Sequence, residues 1–157
     1  MRTIVLTLLV GAVLAPNPVS AQEWTAEQRE VIALTQGCWT AWAEEDMAGV
    51  ESACPDHPEA AGWSTAEDVP VVGWSANNAR RWMQSMFPRT EPVFWEIRPQ
   101  VVKIFGDTAL YHFWALWTEE GPDGRLNTWT RKQLDVWQRI DGQWYWIGGT
   151  QTQTTSG

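Results

Sequence analysis

Few side chains in this sequence are suited to proton transfer at neutral pH. Histidine is the residue whose ordinary pKa lies there, and the chain has two, His57 and His112. His57 follows Asp56 within Pro55-Asp56-His57-Pro58, so His57 can serve as a general base or as a donor to a ligand, with Asp56 as a further acid–base candidate. A loop histidine satisfied by local hydrogen bonds is the alternative. His112 stands inside a strand-like run, where alternation puts it either with Leu110 and Trp114 or toward solvent. Two histidines without a close second ligand do not make the spacing of a zinc site, so no metal is expected. Neither Gly-x-Ser-x-Gly nor a Cys–His signature is present, which argues against nucleophilic catalysis.

The chain is also unusually rich in tryptophan, with 13 residues. A small core has room for a few indoles, and each buried N–H wants a partner. The others must line a cavity, cover a surface patch or form an interface. Trp39, Trp42, Trp63, Trp114, Trp117, Trp129 and Trp144 are candidates for the wall of an aromatic pocket. Such a wall suits a flat apolar, aromatic or sugar-like ligand, and cation–π contact would also admit a quaternary amine. Core filling is the alternative for part of the set.

The first residues read as an export signal. Arg2 supplies the positive start, Ile4 to Ala15 the apolar core, and Val19-Ser20-Ala21 the small residues of a cleavage site. The apolar run is shorter than the roughly 20 residues of a membrane span. Residues 1–21 are therefore expected to be a signal peptide and residues 22–157 a single domain, periplasmic or secreted, with no membrane contact after cleavage. The whole chain carries a formal charge of -8. Removing Arg2 makes the remainder more acidic still, so nucleic-acid binding is not expected. Export also makes nucleotide cofactors poor candidates, and none is expected. In an oxidising compartment, Cys38 and Cys54 read as a candidate disulfide, with two small buried hydrophobes as the alternative.

Around these residues the chain divides in two. Thr25 and Gln28 fit a capping box, and Val31, Leu34, Thr35, Cys38, Ala41 and Trp42 recur at helical spacing, predicting a helix over 26–44. Asp46 can cap a short helix over 47–53, which Pro55 stops. If the two fold back on each other about Asp46, Cys38 and Cys54 come opposite. Residues 55–74 read as irregular, with a short strand conceivable near 60–64. A third helix is expected over 76–86, where Trp82 takes a core position. Strands follow over 93–105, 108–118, 126–139 and 143–152, joined by Gly106-Asp107, a Gly121–Gly124 loop and the hairpin signal Asp141-Gly142. Helices followed by an antiparallel meander define an α+β class.

This order resembles the cone-shaped fold of nuclear transport factor 2 and its SnoaL-like (DUF4440-like) relatives. "HPEAAGWS" (57–64) resembles a segment that some exported members carry after the second helix. "VKIFGDTALYHF" (102–113) is similar to the family's central hairpin, and "KQLDVWQRIDGQWYWIGG" (132–149) to its closing strands. The resemblance implies a curved antiparallel sheet of four or more strands packed on three helices. It also implies a pocket between the two layers and, often, a homodimer through the sheet.

No single chemistry follows from that fold. Isomerases and cyclases among the relatives use a carboxylate base and an oxyanion donor. The steroid-isomerase pattern would need a tyrosine on the first helix, where this chain has Trp39 and Trp42. It would also need an aspartate about where Trp63 stands, with Asp56 and Glu59 only nearby. Many relatives carry an inward histidine about where Thr150 stands; by alternation Thr150 shares a face with Trp144, Trp146, Gly148 and Thr152. Lys132 aligns with a basic position of the family, either binding an acidic group or lying exposed. Three functions stay open: a small apolar or aromatic ligand held in a Trp-lined pocket, an isomerase-, cyclase- or dehydratase-type enzyme using His57, Asp56 or His112, and a dimerising interaction module.

Overall fold

A computed structural model describes residues 23–60, 62–64, 71–74, 81 and 91–156. Among the described residues the elements are α1 (Ala26–Ala43) and α2 (Met47–Ala53), followed by six strands. These are β1 (Gly62–Ser64), β2 (Val71–Trp74), β3 (Glu91–Phe105), β4 (Thr108–Glu120), β5 (Leu126–Ile140) and β6 (Gln143–Ser156). They form one sheet in the order β2-β1-β6-β5-β4-β3. The class is α+β, with α1 packed across the concave face of the curved sheet. The signal peptide and the third helix expected over 76–86 lie outside the described residues, apart from Arg81. Among the described residues, no helix is long and apolar enough to cross a membrane.

The start of α1 is fixed twice. Thr25 Oγ1 accepts from the Gln28 backbone N–H at 3.3 Å, and Gln28 Oε1 accepts from the Thr25 N–H at 2.9 Å, completing the capping box. Gln28 Nε2 also donates to the Val102 carbonyl at 2.9 Å, tying the helix to β3. An ion pair between Arg139 and Glu27 anchors the same end to β5. Burial falls on Val31, Ile32, Thr35, Cys38, Trp39 and Trp42, the face turned to the sheet. At the start of α2 the Asp46 side chain makes no capping hydrogen bond, contrary to expectation.

The disulfide expected between Cys38 and Cys54 is not formed. A Cβ on Gly37 would meet Ala53 Cβ at 3.2 Å, and one on Gly49 would meet Ala41 Cβ at 2.9 Å. Both close approaches are symmetric about Glu45, which takes φ 57°, and not about Asp46. The one-residue offset puts Gly37 opposite Ala53 and turns Cys38 into the core beneath the helix, at 6% exposure.

Within residues 55–74, the described segments Gly62–Ser64 and Val71–Trp74 are strands, the first of them inside the short strand expected near 60–64. β1 pairs antiparallel with β2 and parallel with β6, extending the meander on its β6 side. Pairing with β6 holds β1, and β1 in turn holds β2, for which the sequence carries no signal. On the opposite side β3 is the edge strand. Pro99 lies on this edge strand, the position in a sheet where proline is tolerated, and a bulge follows it at Gln100. The β5–β6 hairpin turns at Asp141 (φ 51°) and Gly142 (φ 85°), two left-handed residues that match the twist of the strands.

Candidate functional site

The sheet register decides which side chains meet α1. On β4, Ala109, Tyr111, Phe113, Ala115 and Trp117 are buried, so odd-numbered residues face inward. Their partners across β5 are Trp137, Asp135, Gln133, Arg131 and Trp129, in that order. On β6, Ile147 is an extra residue: Val136 pairs with Gly148, but Trp137 pairs with Trp146. Gly148 accommodates the irregularity with φ 153°, a region open to glycine. The bulge switches parity along the strand, so Trp144 and Trp146 face inward together with Gly149, Gln151 and Gln153.

Four of the tryptophans singled out above gather at one end of this concave face. Trp117 stacks on Trp42 at 4.7 Å between ring centroids and on Trp129 at 5.6 Å. Trp39 meets Trp42, Trp117 and Phe113 edge-on at 5.3, 5.8 and 6.2 Å. The Trp117 indole donates to Glu119 Oε2 at 3.0 Å. Trp144 is buried near the opposite end, at 1% exposure, with the Arg139 guanidinium 4.3 Å over its ring. Trp63 of β1 pairs with Gly148 of β6.

Between the two ends runs a polar row that sequence reasoning missed: Arg131, Gln133 and Asp135. The Arg131 guanidinium lies 4.5 Å over the Trp129 ring and 5.8 Å from that of Trp39. Its Nη2 donates to Gln153 Oε1 at 2.9 Å. Gln133 Nε2 donates to Asp135 Oδ1 at 2.7 Å. Burial lowers the Arg131 pKa to about 10, against the opposing charges of Glu119 and Asp135. Burial raises Asp135 to about 7; hydrogen bonds from Gln133 and Trp146 and the Arg131 charge offset only part of that. Tyr111, directly across from Asp135, is pushed up as well, first by burial and then by the Asp135 charge.

Several atoms of this region are buried without a partner: Tyr111 Oη, Arg131 Nε, Gln133 Oε1, Thr35 Oγ1 and the indole nitrogens of Trp137 and Trp144. Buried polar atoms are ordinarily paired, by protein or by something else that occupies the site. The signal in the sequence is subtle. Trp129 and Trp137 bracket Arg131, Gln133 and Asp135 at a strict spacing of two, a polar segment enclosed by aromatic residues on one strand face.

Space for the carboxyl comes from Gly149. A Cβ there would lie 2.8 Å from Asp135 Oδ1 and 2.9 Å from the Leu134 carbonyl. The second contact is backbone, so β5 and β6 would have to separate. Gly149→Ala should lose about 1–3 kcal/mol of stability through overpacking, read from urea unfolding midpoints.

The remaining sequence candidates lie elsewhere. His112, Trp114 and Lys132 occupy even positions, on the convex face; Lys132 Nζ sits 4.9 Å from the Trp114 ring. Thr150 is exposed, because the Ile147 bulge reverses the face read from simple alternation. Asp56 is exposed. His57 Nδ1 accepts from the Glu59 N–H at 3.2 Å, and its ring lies 4.8 Å from Tyr145, whose neighbours Trp144 and Trp146 are the inward residues. Neither His57, Asp56 nor His112 reaches the polar row. Among the described residues no cluster of His, Cys, Asp and Glu has metal-binding geometry.

No protein-family model and no curated protein matches the sequence. Solved structures do match in fold. A ketosteroid isomerase-like protein from Erwinia carotovora atroseptica superposes with a TM-score of 0.66 at 15% identity, covering 85% of this chain and 100% of its own. An NTF2-like protein from Cytophaga hutchinsonii gives 0.59 at 20% identity, covering 80% and 97%. A CamKII hub homology domain from Chlamydamonas reinhardtii gives 0.57 at 17% identity, covering 82% and 99%. The chain has the nuclear transport factor 2-like fold.

Proposed function

We propose that the interior between α1 and the concave sheet binds a small organic molecule with an aromatic or apolar body. The supporting observation is the set of unpartnered buried atoms, Tyr111 Oη, Arg131 Nε and Gln133 Oε1, set beside the Trp39–Trp117–Trp129 cluster. Apolar walls with a few placed polar groups are the usual composition of a small-molecule site. A second reading is acid–base catalysis, and it is favoured by one feature. Asp135 has a carboxyl at about 7, matched to proton transfer near neutrality, whereas His57, Asp56 and His112 lie apart from the interior.

The domain is proposed to act outside the cytoplasm after cleavage behind Ala21, leaving Gln22 first. It is further proposed to pair through the convex face, where half-buried Trp114, Leu116, Leu134 and Val136 lie together. A native mass spectrum of protein recovered from its own source tests these statements together. The expected result is a chain beginning at Gln22, a dimer, and a retained small molecule released on denaturation. A chain with residues 1–21 intact would remove the export reading, a monomer the pairing, and a ligand-free spectrum at every collision energy the binding reading.

A further inference from the structure

We propose that the molecule held in this interior is a carboxylate, its head on the Arg131 guanidinium and its apolar body against Trp39 and Trp129. This rests on the small-molecule reading above and narrows it to a chemical class. Arg131 is a cation drawn into the protein, and among the described residues no carboxylate lies within ion-pair distance of it. Its environment compensates only partly. Two indole faces and the Gln153 amide oxygen meet it, while its Nε–H is buried and unpartnered.

A half-buried charge with no carboxylate in contact is costly, since Glu119 and Asp135 act on it only from a distance, and an anion of matching shape offsets that cost. An amide oxygen satisfies one N–H. A carboxylate presents two oxygens in the plane of the guanidinium fork and can take the Nε–H as well. Gln153 is exposed, so it can yield its place.

The groups around the row favour an acid over an amine. Glu119 acts on Arg131 from β4, but its Oε2 already accepts the Trp117 indole. Asp135 faces Tyr111 from β4 and Trp146 and Gly149 from β6, with Arg131 on its own strand. Burial disfavours its charged form, so it presents little negative charge on the acid side of neutrality. As the pH rises and Asp135 ionises, it repels an anionic ligand. Carboxylate affinity therefore falls through neutrality, and a neutral ligand shows no such trend.

Phenylacetate, phenylacetamide and 2-phenylethylamine share one apolar body and differ in head charge. Titrated into the full chain at pH 6 and pH 8, and read by tryptophan emission and calorimetry, they separate the alternatives. Phenylacetate is expected to bind about tenfold more tightly than phenylacetamide at pH 6, with the amine weakest. Arg131→Gln should abolish the acid–amide difference, so that the two ligands bind alike. Asp135→Asn should keep the preference for the acid and remove its pH dependence. If Arg131→Gln does not fold, the acid–amide comparison in the parent protein is decisive by itself. Equal affinity for acid and amide, or tightest binding of the amine, overturns the carboxylate assignment and leaves the small-molecule reading in place. Silence from all three probes at both pH values overturns both.

Discussion

Asp135→Asn should hold its stability nearly level between pH 5 and pH 8, while the parent protein becomes less stable over the same interval. The parent carboxyl lies at 3.8 when solvated and about 7 when folded, because burial penalises its charged form. A folded-state pKa raised above the unfolded value means that the native protein holds a proton the unfolded chain has released. The contribution is full below the unfolded value and is lost as pH rises through about 7. Between pH 5 and pH 8 the loss amounts to about 3 kcal/mol. Asparagine cannot ionise, so this slope disappears. It keeps one acceptor oxygen and gives up the other, of a pair that receives Gln133 and Trp146, at a cost of about 1–3 kcal/mol at every pH. The variant is therefore expected to trail the parent at pH 5 and to draw level or lead at pH 8. Urea unfolding at the two pH values decides it. A parent protein equally stable at both would mean that Asp135 is not the buried, proton-holding group described.

Trp117→Ala is expected to cost about 3–5 kcal/mol, a large part of the 5–15 kcal/mol that holds a small domain together. Trp117 is 2% exposed and joins three elements: it stacks on Trp42 from α1 and Trp129 from β5 and approaches Trp95 of β3 at 6.3 Å. Its removal opens a void that none of these rings can fill without leaving its other partners. The loss of the indole N–H also strands Glu119 Oε2 beside an apolar wall. Trp114, three residues earlier on the same strand, is the internal control. It faces the convex side and touches Lys132, so Trp114→Ala should cost about 1 kcal/mol or less beyond its partial burial. Equal losses in the two variants would contradict the assignment of the strand faces.

Much of the architecture was legible because it is local. The reciprocal bonds of Thr25 and Gln28 lie within one helical turn, and the positive φ values of Asp141 and Gly142 belong to the two turn residues themselves. The third to sixth strands begin and end close to where alternation and turn residues place them. The gathering of Trp39 and Trp42 on the sheet-facing side of α1 also follows from helical periodicity. β1 falls within the short strand expected near 60–64, but β2 was not legible, since it pairs only with β1, and β1 in turn is held by β6 far along the chain.

The site was not legible in the same way. A period of two separates the residues of a strand into two faces, but it does not say which face the helices cover. That choice put Arg131, Gln133 and Asp135 inside and Lys132, His112 and Trp114 outside. One extra residue, Ile147, then moved Thr150 out and Gln151 in, and a one-residue shift of the α1–α2 turn separated the two cysteines from the pairing their spacing suggested. By itself, the sequence determined the run of helices before the long strands, the cap of α1, the hairpin turns, and a store of aromatic side chains large enough to build an apolar interior. Only the tertiary structure decided which polar groups that interior encloses. Burial is what turns Asp135 from an ordinary acid into one that holds its proton near neutrality, and burial belongs to the packing of layers, not to any one residue.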